Sequence, residues 1–241
     1  MSPGKRIVVA IDGPAAAGKS TAGKALAARL GYLYVDTGAL YRAVAWLADR
    51  EGLAEAGGPA LAARLAEADI RLERDAEGGQ RVLVDGRDVS HEIRTPRMST
   101  QSSRLSALPE VRGALLDLQR RLGADGGIVM DGRDIGTVIF PRAEAKFFVS
   151  ASAEARARRR YDELRARGCA AEPAGVLAEI EERDRRDAGR DHAPLRAADD
   201  AVAIDTTDLG PEAVVARMMT VLESVLRTGP DGAGSPAGGT P

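Results

Sequence analysis

Gly13-Pro14-Ala15-Ala16-Ala17-Gly18-Lys19-Ser20-Thr21 carries the most specific chemistry in the chain. It satisfies G-x-x-x-x-G-K-[ST], where two glycines let successive backbone N–H groups turn inward around phosphate oxygens. Lys19 would reach the outer phosphates, and the Ser20 hydroxyl would hold a magnesium ion. A second chemical word, Asp-Gly-Arg-Asp, occurs at 85–88 and again at 131–134. The first copy lies between Val82-Leu83-Val84 and Val89 and reads as a hairpin turn. The second closes a buried apolar run, the position from which Asp131 could reach phosphate-loop magnesium. Arginine is the third source of chemistry: Arg156, Arg158, Arg159 and Arg160 fall on one expected helix, and Arg183, Arg185, Arg186 and Arg190 on or just after the next. Most of these suit a solvated face paired with Glu163, Glu179, Glu181, Glu182 and Asp184. A few are expected to close over a transferring phosphoryl group and exclude water.

The elements around these residues follow from apolar patterning. Ile7-Val8-Val9-Ala10-Ile11-Asp12 reads as a buried strand before the loop, and Thr21 to Leu30 as a helix ending at Gly31. Tyr32 to Asp36 is a second strand, ended by Thr37-Gly38 before a helix from about Ala39 to Glu51. Strands separated by helices imply parallel pairing with right-handed crossovers, which brings Gly13, Asp36 and, one turn into that helix, Arg42 to one edge. Ala54 to Gly58 is a small-residue break and Pro59 to Ala68 a short helix. The pattern then becomes β: Ile70 to Glu73 and Arg81 to Val84 flank Asp75 to Gly79, predicting an inserted antiparallel sheet at about 69–95 with Pro96 as exit. Two helices broken at Pro109 follow. Strands at Ile128 to Asp131, Lys146 to Val149 and Ala201 to Ile204 complete a five-stranded parallel core. Helices at Ala153 to Ala166, capped by Ser152, and at Ala174 to Ala188 precede a closing helix from Pro211 to about Leu226, and 228–241 is a Gly/Pro/Ser-rich tail expected to be disordered.

Bulk properties narrow the classes. With 44% hydrophobic and 29% charged residues and net charge -2, the 241-residue chain suits a globular protein with a sizeable core and argues against general polyanion binding. No apolar run approaches a membrane span and the amino-terminus has no signal-like segment, so a cytoplasmic protein with no membrane partner is expected. One cysteine, Cys169, and two histidines leave no basis for a Cys/His metal site, so any metal will be held by oxygen. The chain contains no asparagine, which removes the N-K-x-D motif of guanine-reading switches. Aromatics at 3% leave few stacking platforms for single-stranded nucleic acid, and no nucleic-acid partner is expected. No coiled-coil seam or repeat demands an oligomer, and a monomer is expected.

Several motifs together resemble the bacterial cytidylate kinases of the nucleoside monophosphate kinase group. They are Ile11-Asp12-Gly13-Pro14, Asp36-Thr37-Gly38-Ala39-Leu40-Tyr41-Arg42, Glu92-Ile93-Arg94-Thr95, Pro109-Glu110-Val111-Arg112, Asp131 to Val138 and Glu182-Arg183-Asp184-Arg185-Arg186-Asp187. The resemblance spans about residues 7–207. It implies a three-layer α/β P-loop kinase fold over 1–227, with a monophosphate-binding insertion at about 38–123 and a helical lid at about 153–190. Matched residue by residue, it implies that Gly13 to Thr21 hold ATP, with Lys19 on its phosphates and Ser20 on magnesium, where the strand-end position already puts Asp131. Arg42 and Arg133 would grip the acceptor phosphate. Thr37, Ser103, Arg112 and Asp134 would meet the cytosine and its surroundings, Arg183 and Asp187 would hold the ribose with Arg190 nearby, and Arg156 and Arg160 would act from the lid. The implied reaction is phosphoryl transfer from ATP to CMP or dCMP. One departure is Ala15-Ala16-Ala17, where serine and glycine are common in the family. The nearest rival is another small-molecule or nucleotide kinase acting on shikimate, AMP or UMP.

The reaction makes sense on physical grounds. Two polyanions must be brought together, so positive charge and positioning supply most of the catalysis, and the ionised acceptor needs no general base. A carboxylate at Asp134 would accept from the cytosine amino group. Uracil presents a carbonyl there, and a site left unpaired in this way can reject the analogue by roughly 10⁴-fold.

Overall fold

The computed structural model describes residues 6–54, 58–74 and 79–227. In chain order they form β1 (Val8–Asp12), α1 (Lys19–Leu30), β2 (Leu33–Asp36), α2 (Thr37–Arg50) and α3 (Gly58–Glu67), then β3 (Ile70–Arg74), β4 (Gln80–Val84) and β5 (Arg87–Asp88). There follow α4 (Pro96–Leu105), α5 (Pro109–Leu122), β6 (Ile128–Gly132), β7 (Ala145–Ser150), α6 (Ala153–Ala166), α7 (Pro173–Ala188), β8 (Val202–Asp205) and α8 (Pro211–Arg227). The five expected parallel strands pair in the order β2-β6-β1-β7-β8, and β3-β4-β5 form the separate antiparallel sheet. Apolar residues pack on both faces of the parallel sheet, as a strand set covered by helices requires. Val9, Ile11, Phe147 and Ile204 pack with Leu26 of α1 and Met218 and Leu222 of α8; Ala10, Val35 and Met130 pack with Ile135 and Ile139 on the other side. The fold is therefore the three-layer α/β arrangement with an inserted β segment.

The register sets the site. Asp36 lies opposite Asp131, and Asp12 opposite Gly132, so three strands release acidic ends at one edge. Gly13 leaves β1 with φ 147, and a Cβ there would stand 1.9 Å from the Val149 carbonyl oxygen, which requires glycine. The loop also holds Ala16 at φ 59, a left-handed conformation in a residue with a Cβ.

Several element ends differ from expectation for local reasons. Thr37-Gly38 do not interrupt the chain before the second helix; they are its first turn, because the Asp36 side chain caps it by accepting from the Ala39 N–H. Prolines 96, 109 and 173 each start a helix one or two residues before the apolar pattern does, since proline is favoured where the first N–H has no partner. A π-helical turn at Ile135–Ile139 was not expected; the Asp12 carboxylate holds it by accepting from the Ile135 and Gly136 N–H groups at 2.8 and 2.7 Å. The first Asp-Gly-Arg-Asp is a hairpin turn, with Asp85 at φ 50 and Gly86 at φ 78 between β4 and β5. Among the described residues no helix is long and apolar enough to cross a membrane. The expected tail at 228–241 and parts of the expected loops, 55–57 and 75–78, lie outside the described residues.

Two further cores hold the remaining elements. Leu40, Val44 and Leu47 of α2 pack with Leu61, Val82, Ile93, Met98 and Leu115, joining α2 to the inserted segment. Ala157, Leu164, Val176 and Ile180 hold α6 against α7, with Ala15 and Ala16 of the glycine loop packed on them.

Candidate active site

At the carboxyl edge of the sheet lies a cavity of about 860 Å³ with the glycine loop on one side. Lys19 is buried, and its Nζ donates to the Pro14 carbonyl oxygen at 2.6 Å, crossing the mouth of the loop. Burial, with Arg133 and Arg183 nearby, pulls its pKa down to about 7 against the opposing pull of Asp131 and Asp12. A phosphate in the loop would restore that charge. The Ser20 hydroxyl donates to Asp131 Oδ2 at 2.8 Å, and the Tyr34 hydroxyl donates to the same oxygen at 3.0 Å. Burial first, then the charge on Asp36, pushes Asp131 up to about 6. A serine hydroxyl beside a carboxylate, both hard oxygen donors, fits a magnesium ion that brings its own phosphate and water ligands.

The opposite wall is built by arginines on α2, α5 and α7 and on the segments that follow β6 and α7. Arg42 on α2 pairs with Asp36 at 2.8 Å, and Gly38 leaves the space for that pair, since a Cβ there would come within 2.9 Å of Asp36 Oδ1. Arg112 on α5 is ion-paired with Asp134. Arg133 donates to Asp187 at 2.8 Å, Arg190 is ion-paired with it, and Arg183 approaches it at 3.8 Å. Five arginines thus share three carboxylates, an excess of positive charge on a concave surface. Arg183 feels this most: burial and then Arg133 lower its pKa to about 9 despite Asp187. For Asp187 burial works upward, but Arg133, Arg183 and Arg190 outweigh it and hold the carboxyl below its usual range. Asp134 is raised by burial, with Arg112 opposing. The Ser103 hydroxyl on α4 is buried beside this wall without a hydrogen-bond partner among the described residues.

Most residues singled out from sequence meet here: Lys19, Ser20, Thr37, Arg42, Ser103, Arg112, Asp131, Arg133, Asp134, Arg160, Arg183 and Arg190 all line this cavity, as do Ala15, Ala16, Ala17, Gly18 and Thr21. Thr37 has its hydroxyl committed to the Asp131 carbonyl oxygen at 2.7 Å. Four sit differently from the rest: Gly13 and Pro14, at the start of the loop, are not part of the lining, and neither are Asp187 and Arg156. Asp187 has no exposed surface and stands behind the wall as counter-ion to the arginines. Arg156 is paired with Asp184 at 2.6 and 3.0 Å and donates to the Ala151 carbonyl oxygen at 2.9 Å and to that of Ala15 in the glycine loop at 3.4 Å. Its neighbour Arg160 does reach the cavity, where it is paired with Glu163 at 2.8 Å. Sequence reasoning gave Tyr34 and Asp12 no role at the site. Tyr34 lies inside β2 and Asp12 ends β1, and only the register shows which way each polar group turns.

A parallel sheet in this strand order, with a glycine loop after its central strand and an arginine wall facing it, defines a P-loop phosphotransferase. The family model described as cytidylate kinase matches residues 9–224. A protein named cytidylate kinase from Geobacter sp. (strain M21) is 51% identical over 226 residues, covering 94% of this chain and 97% of the relative. Relatives of the same name from Syntrophotalea carbinolica, 50% identical over 90% of this chain and 92% of theirs, and Exiguobacterium sibiricum, 48% identical over 92% of this chain and 100% of theirs, match in the same way. The chain belongs to the cytidylate kinase family and is an enzyme, a phosphotransferase with a phosphate group as acceptor.

Proposed function

We propose that the protein transfers the γ-phosphoryl group of ATP to CMP or dCMP, forming ADP and CDP or dCDP, with magnesium as cofactor. The observation that carries this reading is one cavity with the glycine loop on one wall and, on the other, five arginines sharing three carboxylates. One wall suits a triphosphate and the other a monophosphate.

In this reading the inward N–H groups of Gly13 to Thr21 and the Lys19 ammonium take the ATP phosphates. Magnesium, held by Ser20 and Asp131, would neutralise charge on the β- and γ-phosphoryl oxygens. Arg42 and Arg133 release part of their hold on Asp36 and Asp187 to grip the acceptor phosphate, aligning one of its oxygens with the γ-phosphorus. That oxygen is already ionised, so it attacks without losing a proton. Ser103, Arg112 and Asp134 read the cytosine, with the unpartnered Ser103 hydroxyl and the Asp134 carboxylate offering a donor and an acceptor to its edge. Arg183 and Arg190 meet the ribose. Residues about 38–123 act as the acceptor-binding insertion and about 153–190 as the lid. Closure brings Arg160 over the transferring group, where charge is stabilised once water is excluded. The enzyme acts as a cytoplasmic monomer on small-molecule substrates, without nucleic-acid or membrane partners.

Phosphorus NMR of ATP and CMP with catalytic enzyme tests the reaction directly. Paired α and β signals of CDP and ADP are expected, appearing only with magnesium and stopped by chelator. Release of inorganic phosphate without CDP refutes the transfer.

A further inference from the structure

Tyr34 stands at the magnesium corner, yet neither the glycine-loop motif nor the proposed chemistry uses its side chain. Its ring lies against α1 at Gly23, where an added Cβ would come within 2.9 Å of ring carbon Cε2. The absence of a side chain at position 23 therefore makes the slot in which the ring lies. Lys24 Nζ stands 5.8 Å from the ring centroid, at the reach of a cation–π contact, and a cation over the ring polarises the phenol toward donation. The hydroxyl held this way donates to Asp131 Oδ2 at 3.0 Å, the same oxygen that accepts from Ser20 at 2.8 Å.

Two hydroxyl donors on one oxygen stop rotation of the carboxylate. With Ser20 alone, a serine that must also face the cation would be the only side-chain restraint on Oδ2. With Tyr34 present, Oδ2 is tied from the β2 side and from the glycine loop at once, and the remaining oxygen is presented in a constant direction. We propose that Tyr34 is a positioning residue for the cation site: its hydroxyl fixes the Asp131 carboxylate, so that Ser20 and Asp131 meet the divalent ion of the nucleotide as a preset pair. This role rests on the proposed function, in which Ser20 and Asp131 hold magnesium. Partners that orient metal-binding groups from outside contribute roughly tenfold or more to metal affinity when removed.

Tyr34→Phe keeps the ring in its slot and deletes one oxygen. Calorimetric binding of ADP with and without magnesium, to each variant of the full chain, measures how much the ion strengthens nucleotide binding. The expected result is a magnesium-dependent gain smaller by about tenfold in Tyr34→Phe, with ADP affinity in chelator, CMP affinity and the thermal midpoint all at wild-type values. Asp131→Asn separates the inference from the reading beneath it. If Asp131→Asn loses the magnesium gain and Tyr34→Phe keeps it in full, the positioning role is overturned and the site stands. If Asp131→Asn also keeps it, both are overturned.

Discussion

Replacing Asp187 by asparagine puts the arginine wall to its hardest test. The carboxylate has no exposed surface and answers three guanidinium groups: Arg133 at 2.8 Å, Arg183 at 3.8 Å and the directly paired Arg190, whose side chain is only 5% exposed. Asparagine keeps the shape and removes the charge. Breaking a buried ion pair from one side costs about 3–5 kcal/mol, against the roughly 5–15 kcal/mol that separates folded from unfolded chains. At about 2–4 °C per kcal/mol for a chain of this size, the thermal midpoint should fall by roughly 6–20 °C. The three unneutralised arginines should bind anions more tightly than before, so added phosphate or CMP should raise the midpoint of Asp187→Asn further than that of the wild type. Thermal melts followed by circular dichroism, with and without these anions, read both effects. A fall below about 1 kcal/mol, with only the KM for CMP raised, would refute the counter-ion account and return Asp187 to the ribose contact that its motif implies.

Asp134→Asn should reduce the kcat/KM preference for CMP over UMP by roughly 10- to 100-fold, the effect of about 1–3 kcal/mol at a buried hydrogen-bonding group, and an unchanged ratio in steady-state kinetics sinks the base-reading role. Arg160→Ala should lower kcat strongly with little change in melting. Arg156→Ala should chiefly lower the midpoint, because it frees Asp184 and the Ala151 carbonyl, and the reverse pattern contradicts the assignment. Asp12 and Asp131 are both pushed up to about 6, largely by burial, so the folded chain holds protons that the unfolded chain releases near pH 4. Stability from these groups is full below that lower value and is lost as pH rises through about 6, by roughly 1.4 kcal/mol per tenfold change in proton affinity. Asp36 and Asp187, held low, lose their contribution only at still lower pH. Melts of ligand- and metal-free protein should therefore show a higher midpoint at pH 5 than at pH 6.5; a midpoint that rises from pH 5 to pH 6.5 is the contrary result.

Much of this architecture can be read in the chain because its determinants are local. The glycine loop needs Gly13 and Gly18 for backbone conformations that other residues rarely adopt, and the five parallel strands are short, mostly apolar runs bounded by turn or cap residues. The two Asp-Gly-Arg-Asp words could be told apart by context alone: one follows an alternating segment and the other a fully buried one. Less legible was the distribution of ion pairs. Eight arginines on two helices look alike in sequence, yet Arg156 is folded onto Asp184 while Arg160, one turn further along α6, reaches the cavity. Asp187 reads as a ribose contact only through the family resemblance; of the three arginines it answers, Arg183 and Arg190 lie within four residues of it, but Arg133 is 54 residues away and no local window contains that pair. The π-helical turn depends on Asp12, 123 residues from the first N–H it accepts, and no window of sequence contains both.

Initial-rate measurements with ATP and magnesium across CMP, dCMP, UMP, AMP and shikimate compare the acceptors that this cavity has to distinguish. CMP and dCMP are expected to be phosphorylated with kcat/KM at least roughly 100-fold above UMP and the others, because a rejected base leaves buried polar groups unpaired. An enzyme that prefers AMP, UMP or shikimate, or treats CMP and UMP alike, contradicts the proposed function.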